Sequence, residues 1–124
     1  MFQKILCGTD GSKTAAKAVD RAVEVAATTG ASLTILSAGR RERAEEVVAQ
    51  EAARHTGSGV EIDTLVVEHD AVTALLDTVE TGGYDLLVTG NKGMTGLTRF
   101  FQLGSVPNKV SHHLASSLLI VKTT

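Results

Sequence analysis

Short apolar runs alternate with longer segments of mixed polarity along the whole chain. Runs of this kind are typical of strands that are buried on both faces of a sheet. We therefore predict five strands, over Phe2–Thr9, Ser32–Ala38, Val60–Val67, Leu86–Gly90 and Ser117–Val121.

The segments between the runs carry the periodicity of amphipathic helices. The clearest one begins at Ser12, a residue type that caps helix N-termini, and it ends at Thr28 to Gly30. Its apolar residues recur at helical spacing and should face the core: Ala15, Ala18, Val19, Ala22, Val23 and Ala26. Three further helices are predicted over Arg41–His55, closed by Gly57, over Ala71–Val79, stopped by Gly82 and Gly83, and over Val106–Leu114, capped by Ser105. The second helix should bury Ala44, Val47, Val48 and Ala52, and the third should bury Leu75, Leu76 and Val79.

Alternation of apolar strands and helices predicts a parallel sheet covered on both faces. With right-handed crossovers this is an α/β fold, a doubly wound five-stranded parallel sheet in a three-layer sandwich, and we predict the strand order 3-2-1-4-5. The absence of repeats, linkers and low-complexity segments indicates one domain over residues 1–124. Ligands of such sheets bind beyond the carboxyl ends of the strands, at the point where the strand order reverses.

Composition sets limits on the core and on the surroundings. Hydrophobic residues make up 43% of the chain but aromatic residues only 3%, so the core should be aliphatic. A single cysteine, Cys7, excludes an internal disulfide and a cysteine-based zinc site, and its apolar neighbours indicate a buried side chain. The chain shows no signal peptide and no apolar run near membrane-spanning length, so we expect a cytoplasmic protein with no membrane partner.

Charge is distributed unevenly along the sequence. All fourteen acidic residues lie between Asp10 and Asp85, and the eight lysines and arginines of residues 1–85 leave that part of the chain with a net charge of −6. From Leu86 onward there are four lysines and arginines and no acid, which gives +4. The C-terminal third therefore favours an anionic ligand. Four cations without interleaved aromatic residues are too few to indicate a nucleic-acid partner.

The first strand ends in the sequence Gly8-Thr9-Asp10-Gly11-Ser12. A carboxylate at a strand end can accept hydrogen bonds from the two hydroxyls of a ribose. The alternative is that Asp10 only shapes an Asx turn or caps the following helix.

The fourth strand is followed by an acid-free stretch, GNKGMTGLTRFFQLGS, which spans residues 90–105. Gly90 and Gly93 let backbone N–H groups turn toward an anion, and Gly104-Ser105 opens a helix whose N-terminus favours phosphate. Lys92 and Arg99 add positive charge nearby. The alternative is a surface connection with an ordinary serine cap.

Taken together, these segments resemble the universal stress protein family over nearly the whole chain. The resemblance rests on KILCGTDGS, ASLTILSA, DLLVTGNKG, LGSVPNKV and the closing SLLIV. The nucleotide-binding members of that family carry Gly-x2-Gly-x9-Gly-(Ser/Thr) after the fourth strand. Gly90, Gly93, Gly104 and Ser105 match this motif, except that ten residues instead of nine separate the second and third glycines.

The resemblance implies an adenine nucleotide, ATP or AMP, as ligand, with Mg²⁺ accompanying ATP. Asp10 would contact the ribose, while Gly8, Thr9 and Ala38 would line the adenine pocket and Thr89 would flank the base. The phosphates would be surrounded by Gly90, Gly93, Gly104, Ser105 and Val106, with Lys92 as a nearby cation.

The resemblance also implies a stress-response signalling or regulatory module that forms a homodimer through the last strand, Ser117–Val121. An apolar edge strand is consistent with such pairing. The alternative within the family is a member that does not bind nucleotide and acts through dimer contacts alone.

The sequence predicts no catalytic residues. It contains no P-loop, no acidic pair after a strand for a metal, and no histidine at metal-ligand spacing; His112 and His113 are adjacent and so point apart. Slow ATP hydrolysis or self-phosphorylation, known within the family, gains no support from the residues. A receiver-like phosphoacceptor domain has the same layering, and Asp10, Thr89 and Lys122 mimic three of its positions, but its paired acids after strand one are absent.

Overall fold

The computed structural model describes residues 1–92 and 116–123. The elements within these ranges are β1 Lys4–Gly8, α1 Lys13–Thr29, β2 Ser32–Ala38, α2 Arg41–Arg54, β3 Ile62–Val67, α3 Ala71–Gly82, β4 Leu86–Gly90 and β5 Ser117–Val121. The predicted helix Val106–Leu114 lies outside the described residues.

The five strands form one parallel sheet in the order β3-β2-β1-β4-β5, which confirms the predicted fold and strand order. The central strand β1 pairs with β2 on one side, where Ile5 lies opposite Leu33, and with β4 on the other, where it lies opposite Leu86. The chain first moves outward through β2 and β3 and then crosses back to β4. The strand order therefore reverses between β1 and β4.

Two apolar clusters cover the two faces of the sheet. Alternate residues of β1 divide between them, since Ile5 and Cys7 contact the cluster under α1 and α2, whereas Leu6 contacts the cluster under α3. All three side chains are fully buried. Burial on both faces explains why the strands read as continuous apolar runs.

The ends of α1 follow the predicted signals. The Ser12 Oγ accepts a hydrogen bond from the Ala15 N–H at 3.1 Å, and Gly30 ends the helix with φ at 75°, in the left-handed region that glycine enters without steric cost. The predicted stripe is buried except for Ala15, which is half-buried.

The other helices differ from prediction in small ways. α3 begins after Asp70, whose side chain caps the helix by accepting the Thr73 N–H at 3.0 Å. It runs beyond the predicted Val79 to Gly82, and Gly83 ends it. Ala52 and Leu76, expected to be buried, are only half-buried.

A polar network that the periodicity did not predict joins α1 to α2. Glu51 is 7% exposed and receives two hydrogen bonds from the Arg54 guanidinium, at 2.7 and 3.1 Å. The same guanidinium donates to Asp20 on α1 at 2.9 Å, and the ring of His55 also bonds to Asp20, at 3.0 Å. The hydrogen bonds from Glu51 and Asp20 raise the pKa of Arg54 above its ordinary value, although burial opposes them. A buried carboxylate is thereby paired, as its desolvation requires.

None of the helices in the described ranges is long and apolar enough to cross a membrane.

Truncation of the buried β1 leucine should destabilise the fold far more than truncation of an exposed one. Leu6 is 0% exposed, whereas Leu65 on the edge strand β3 is 36% exposed. We expect Leu6→Ala to lower the free energy of unfolding by about 2–5 kcal/mol. The matched change Leu65→Ala should cost less than about 1 kcal/mol because it removes little buried area. Urea unfolding followed by circular dichroism measures both, and equal losses would contradict the described core.

The Cys7 thiol should be inert in the folded protein. Its side chain is fully buried, and burial, with a further contribution from Glu51, raises the pKa of the thiol well above its ordinary value. Because the thiolate is the reactive form, a disulfide reagent at about pH 8 should label the native protein only as fast as it unfolds. The urea-unfolded chain is the control and should react within seconds to minutes. Rapid labelling of the native protein would contradict this placement.

Candidate ligand-binding site

A cavity of about 300 Å³ opens where β1 and β4 end. Its walls come from the end of β1, the first turn of α1, the end of β2, the start of α3, and the segments that follow β4 and β5. The described lining residues are Gly8, Thr9, Asp10, Ser12, Thr14, Ala15, Leu36, Ala38, Ala71, Leu75, Gly90, Lys92 and Thr123. The cavity thus lies at the reversal point of the strand order, where doubly wound sheets bind ligands.

The turn between β1 and α1 is fixed by its own hydrogen bonds. The Thr9 N–H donates to the Leu36 carbonyl at 3.0 Å, which extends the β1–β2 pairing by one residue. The Thr9 hydroxyl accepts the Gly11 N–H at 3.1 Å. Gly11 has φ at 83°, and a Cβ there would stand 2.8 Å from a methyl of Val47, so only glycine fits. The turn therefore presents Asp10 at the cavity mouth in one defined conformation.

Asp10 forms the turn that the sequence offered as one alternative, and it also lines the cavity. Its Oδ1 accepts the Ser12 N–H at 2.9 Å, so it does form an Asx turn. Its carboxylate is nevertheless exposed and lines the cavity. Partial burial acts to raise the pKa of Asp10, but hydrogen bonds from Ser12 and the positive charge of Arg43 outweigh it and hold the pKa below the ordinary 3.8. Asp10 is therefore a charged hydrogen-bond acceptor throughout the neutral range.

One group of lining residues is apolar. Gly8 and Leu36 lie opposite each other on β1 and β2, Ala38 ends β2, and Leu75 comes from α3. A Cβ on Gly8 would stand 2.9 Å from both methyls of Leu75, which is itself fully buried. Glycine at this position lets α3 pack directly against the end of β1. This part of the cavity suits a flat, weakly polar group.

The other group of lining residues is polar. It consists of Ser12 and Thr14 from the first turn of α1 together with Gly90, Lys92 and Thr123. The hydroxyls of Ser12 and Thr14 lie 3.1 Å apart. α1 has no acidic residue in its first turn, and the Asp10 carboxylate lies just before its cap residue Ser12. Among the described lining residues, Lys92 is the only cation and Asp10 the only acid.

Asn91 holds the end of β4 to the segment that follows β5. Its N–H donates to the Val121 carbonyl at 3.1 Å, and its side-chain oxygen accepts both the N–H and the hydroxyl of Thr123, at 3.0 and 2.8 Å. Lys17 of α1 donates to the Thr123 carbonyl at 3.2 Å. The last described residue of the chain is thereby fixed in the wall of the cavity.

The sequence model of the universal stress protein family matches residues 1–48 and 37–122, which together span nearly the whole chain. The chain belongs to this family.

Relatives of known name agree with this assignment. Universal stress protein Rv1636 of Mycobacterium tuberculosis is 32% identical over 148 residues, which cover 99% of this chain and 98% of the relative. Universal stress protein YxiE of Bacillus subtilis is 28% identical over 149 residues, which cover 98% of this chain and all of the relative. A solved universal stress protein in complex with cAMP is 33% identical, with a TM-score of 0.77, and covers 99% of this chain and 98% of its own.

The structure brings together six of the residues that the resemblance assigned to the ligand. Gly8, Thr9, Asp10, Ala38, Gly90 and Lys92 all line the cavity. Thr89 is not among the described lining residues; its side chain is 1% exposed, and its hydroxyl has no hydrogen-bond partner in the described part of the chain. The remaining four, Gly93, Gly104, Ser105 and Val106, lie outside the described residues.

Several lining residues did not stand out in the sequence. Ser12 was expected only as a helix cap, although its position directly after Asp10-Gly11 could have indicated a second role. Thr14 lies two residues after Ser12, in the first turn of α1, and could have been found in the same way. Thr123 carries no local signal, because only the pairing of β4 with β5 brings it to Gly90.

The described residues offer no metal site and no receiver-like centre. No group of three or more His, Cys, Asp or Glu residues in ranges 1–92 and 116–123 could hold a metal ion. Of the three receiver-like positions, Asp10 lines the cavity, whereas Thr89 and exposed Lys122 do not.

Stability should depend on the charge of Asp10 at acidic pH. Because its folded pKa lies below the ordinary 3.8, the ionised carboxylate stabilises the fold above the unfolded pKa, and this contribution disappears as the pH falls through the folded pKa. We expect the stability difference between the wild type and Asp10→Asn to be largest at about pH 5 and to shrink toward about pH 2.5. Urea unfolding at several pH values measures it. Asp63→Asn, a change on exposed β3, is the control, and a pH-independent difference for Asp10→Asn would contradict the assigned hydrogen bonds.

Proposed function

We propose that this protein binds an adenine nucleotide in the cavity between the ends of β1 and β4 and acts as a stress-response regulatory module whose signal is nucleotide occupancy. The observation that carries the proposal is the position of Asp10, a charged acceptor that stands between an apolar and a polar group of lining residues. A nucleoside phosphate has the same sequence of chemical parts: a flat base, a sugar with hydroxyl donors, and an anion.

The base would lie in the apolar part of the cavity, against Gly8, Ala38 and Leu75. Leu75 fills the space beside Gly8 and offers an aliphatic surface on which a flat ring can pack. Such pockets gain affinity from buried apolar area and orientation from a few polar groups.

The sugar would be held by Asp10. A carboxylate can accept a hydrogen bond from a ribose hydroxyl, and an ionised acceptor makes stronger hydrogen bonds than a neutral one. The Asx turn to Ser12 fixes the carboxylate before the ligand arrives, so little side-chain entropy is lost on binding.

The phosphate would lie in the polar part, near Gly90, Lys92 and the N-terminus of α1. Positive charge and unpaired N–H groups favour an anion there. We further propose that Gly93, Gly104, Ser105 and Val106 complete this part. ATP and AMP are both candidates, and Mg²⁺ would accompany ATP through its phosphates. The adenine class is supported by the cAMP complex of a relative that is 33% identical over nearly the whole chain.

We also propose that the protein forms a homodimer through β5. This strand lies at one edge of the sheet, and its Ile120 is 38% exposed. An edge strand with an exposed aliphatic side chain is suited to pairing with a second copy.

Removal of the charge on Asp10 should weaken binding of every adenine nucleotide. Charge-assisted hydrogen bonds contribute about 1.5–3 kcal/mol, so Asp10→Asn should raise the Kd about 10- to 100-fold for AMP, cAMP and ATP alike. Isothermal titration calorimetry measures the Kd, which we expect in the micromolar range for the wild type.

The control is Asp63→Asn, which removes an exposed carboxylate of β3 far from the lining residues. It should leave the Kd unchanged. A wild-type protein that gives no heat and no thermal shift with millimolar nucleotide would contradict the proposal and would favour a family member that acts through dimer contacts alone.

A further inference from the structure

We propose that Thr123, the residue two positions after β5, is a ligand-contacting residue that accepts a hydrogen bond from a sugar hydroxyl, and that Asn91 is its positioning residue. The proposal rests on the nucleotide site proposed above. It adds to that site a part of the chain that the glycine motif does not include.

Thr123 is buried and is held in place by hydrogen bonds. The residue is only 3% exposed. Three hydrogen bonds hold it, two to the Asn91 side-chain oxygen and one from Lys17 on α1. The neighbouring residue Lys122 is exposed, so Thr123 is buried individually, and the segment after β5 is not buried as a whole.

Thr123 packs against Gly90, the first glycine of the glycine motif that follows β4. A Cβ on Gly90 would stand 3.3 Å from the Thr123 methyl and 3.9 Å from the Ala18 Cβ. Thr123 therefore occupies the space beside Gly90 on the α1 side of the sheet. Both residues line the cavity, together with Thr14, which lies one helical turn before Lys17 and Ala18 on α1.

The hydrogen bond to Asn91 determines which chemistry Thr123 can offer. A threonine hydroxyl has one proton, and here it is donated to the Asn91 oxygen at 2.8 Å. The remaining lone pairs of Oγ1 can only accept. A phosphate at neutral pH is itself an acceptor, so the matching ligand group is a donor. In an adenine nucleotide whose base lies against Gly8, that donor is a ribose hydroxyl.

Asp10 and Thr123 would then approach the sugar from two sides of the same cavity. Asp10 supplies a charged acceptor and Thr123 a neutral one, and each is oriented by a neighbour, Ser12 and Asn91 respectively. Two fixed acceptors discriminate against a deoxy sugar, because a buried acceptor without its donor loses the hydrogen bonds it would make to water.

The test compares AMP with 2′-deoxy-AMP and 3′-deoxy-AMP in titration calorimetry. Thr123→Val keeps the shape beside Gly90 and removes the oxygen. We expect it to weaken AMP binding about three- to tenfold and to reduce the preference for AMP over one of the deoxy analogues by the same factor, as the loss of one neutral hydrogen bond predicts. Thr123→Ser should restore the preference, and Asn91→Ala should reduce it. Lys122→Ala is the matched control and should change neither value.

The outcomes separate this proposal from the one on which it rests. If the wild type does not bind AMP, both are overturned. If the wild type binds AMP and Thr123→Val keeps the same affinity and the same preference, only the role of Thr123 is overturned. Hydrogen exchange of the Thr123 amide in the wild type gives a reading that does not depend on folding of a variant: AMP should slow it, and an unchanged rate with bound AMP would contradict the contact.

Discussion

The pairing of β1 with a neighbour on each side is the interaction on which the remaining structure depends. Ile5, Leu6 and Cys7 are fully buried, so this strand has no face on which polar side chains would be tolerated. Because the chain leaves β1 toward β2 and later returns to its other side as β4, the strand order reverses between these two neighbouring strands. The crevice that results is a product of topology, and the residues at the carboxyl ends of the two strands become its walls.

Small residues let the helices pack close to the sheet around this crevice. The stripe of α1 is built mainly of alanines, and Ala18 and Ala22 are fully buried, so the helix lies close to the sheet. Gly8 allows the same close approach on the opposite face, where Leu75 takes the place that a side chain would occupy. The absence of a side chain on Gly8 therefore allows close packing on the face of the sheet beside the cavity.

Local features of the structure could be predicted from the sequence, and features formed between distant segments could not. Apolar runs predicted the strands, with the bounds of β2, β4 and β5 as observed, because each run is contained within a few residues. The caps Ser12 and Gly30 were predicted for the same reason. The Arg54 network and the place of Thr123 depend on which helices and strands become neighbours, and no periodicity encodes that.

Asp10 shows a limit of a different kind. The sequence presented a turn-forming role and a ligand-facing role as alternatives, but one carboxylate has two oxygens and enough lone pairs to serve both. A hydrogen bond that looks purely structural can be what holds a binding group in place. Six of the residues that the resemblance assigned to the ligand line the cavity, but motif matching gave no account of how each is held there.

The placement of Thr123 in the cavity wall also has a consequence for how the protein is made. Asp10 and Thr123 are more than a hundred residues apart in sequence, and they meet only after β5 has joined the sheet. A growing chain that has completed four strands already has most of its core but not this wall. Closing so long a loop costs entropy, and a ligand that binds only the closed form returns stability to it by mass action. A ligand of this cavity would therefore favour chains in which β5 has joined the sheet over chains in which it has not.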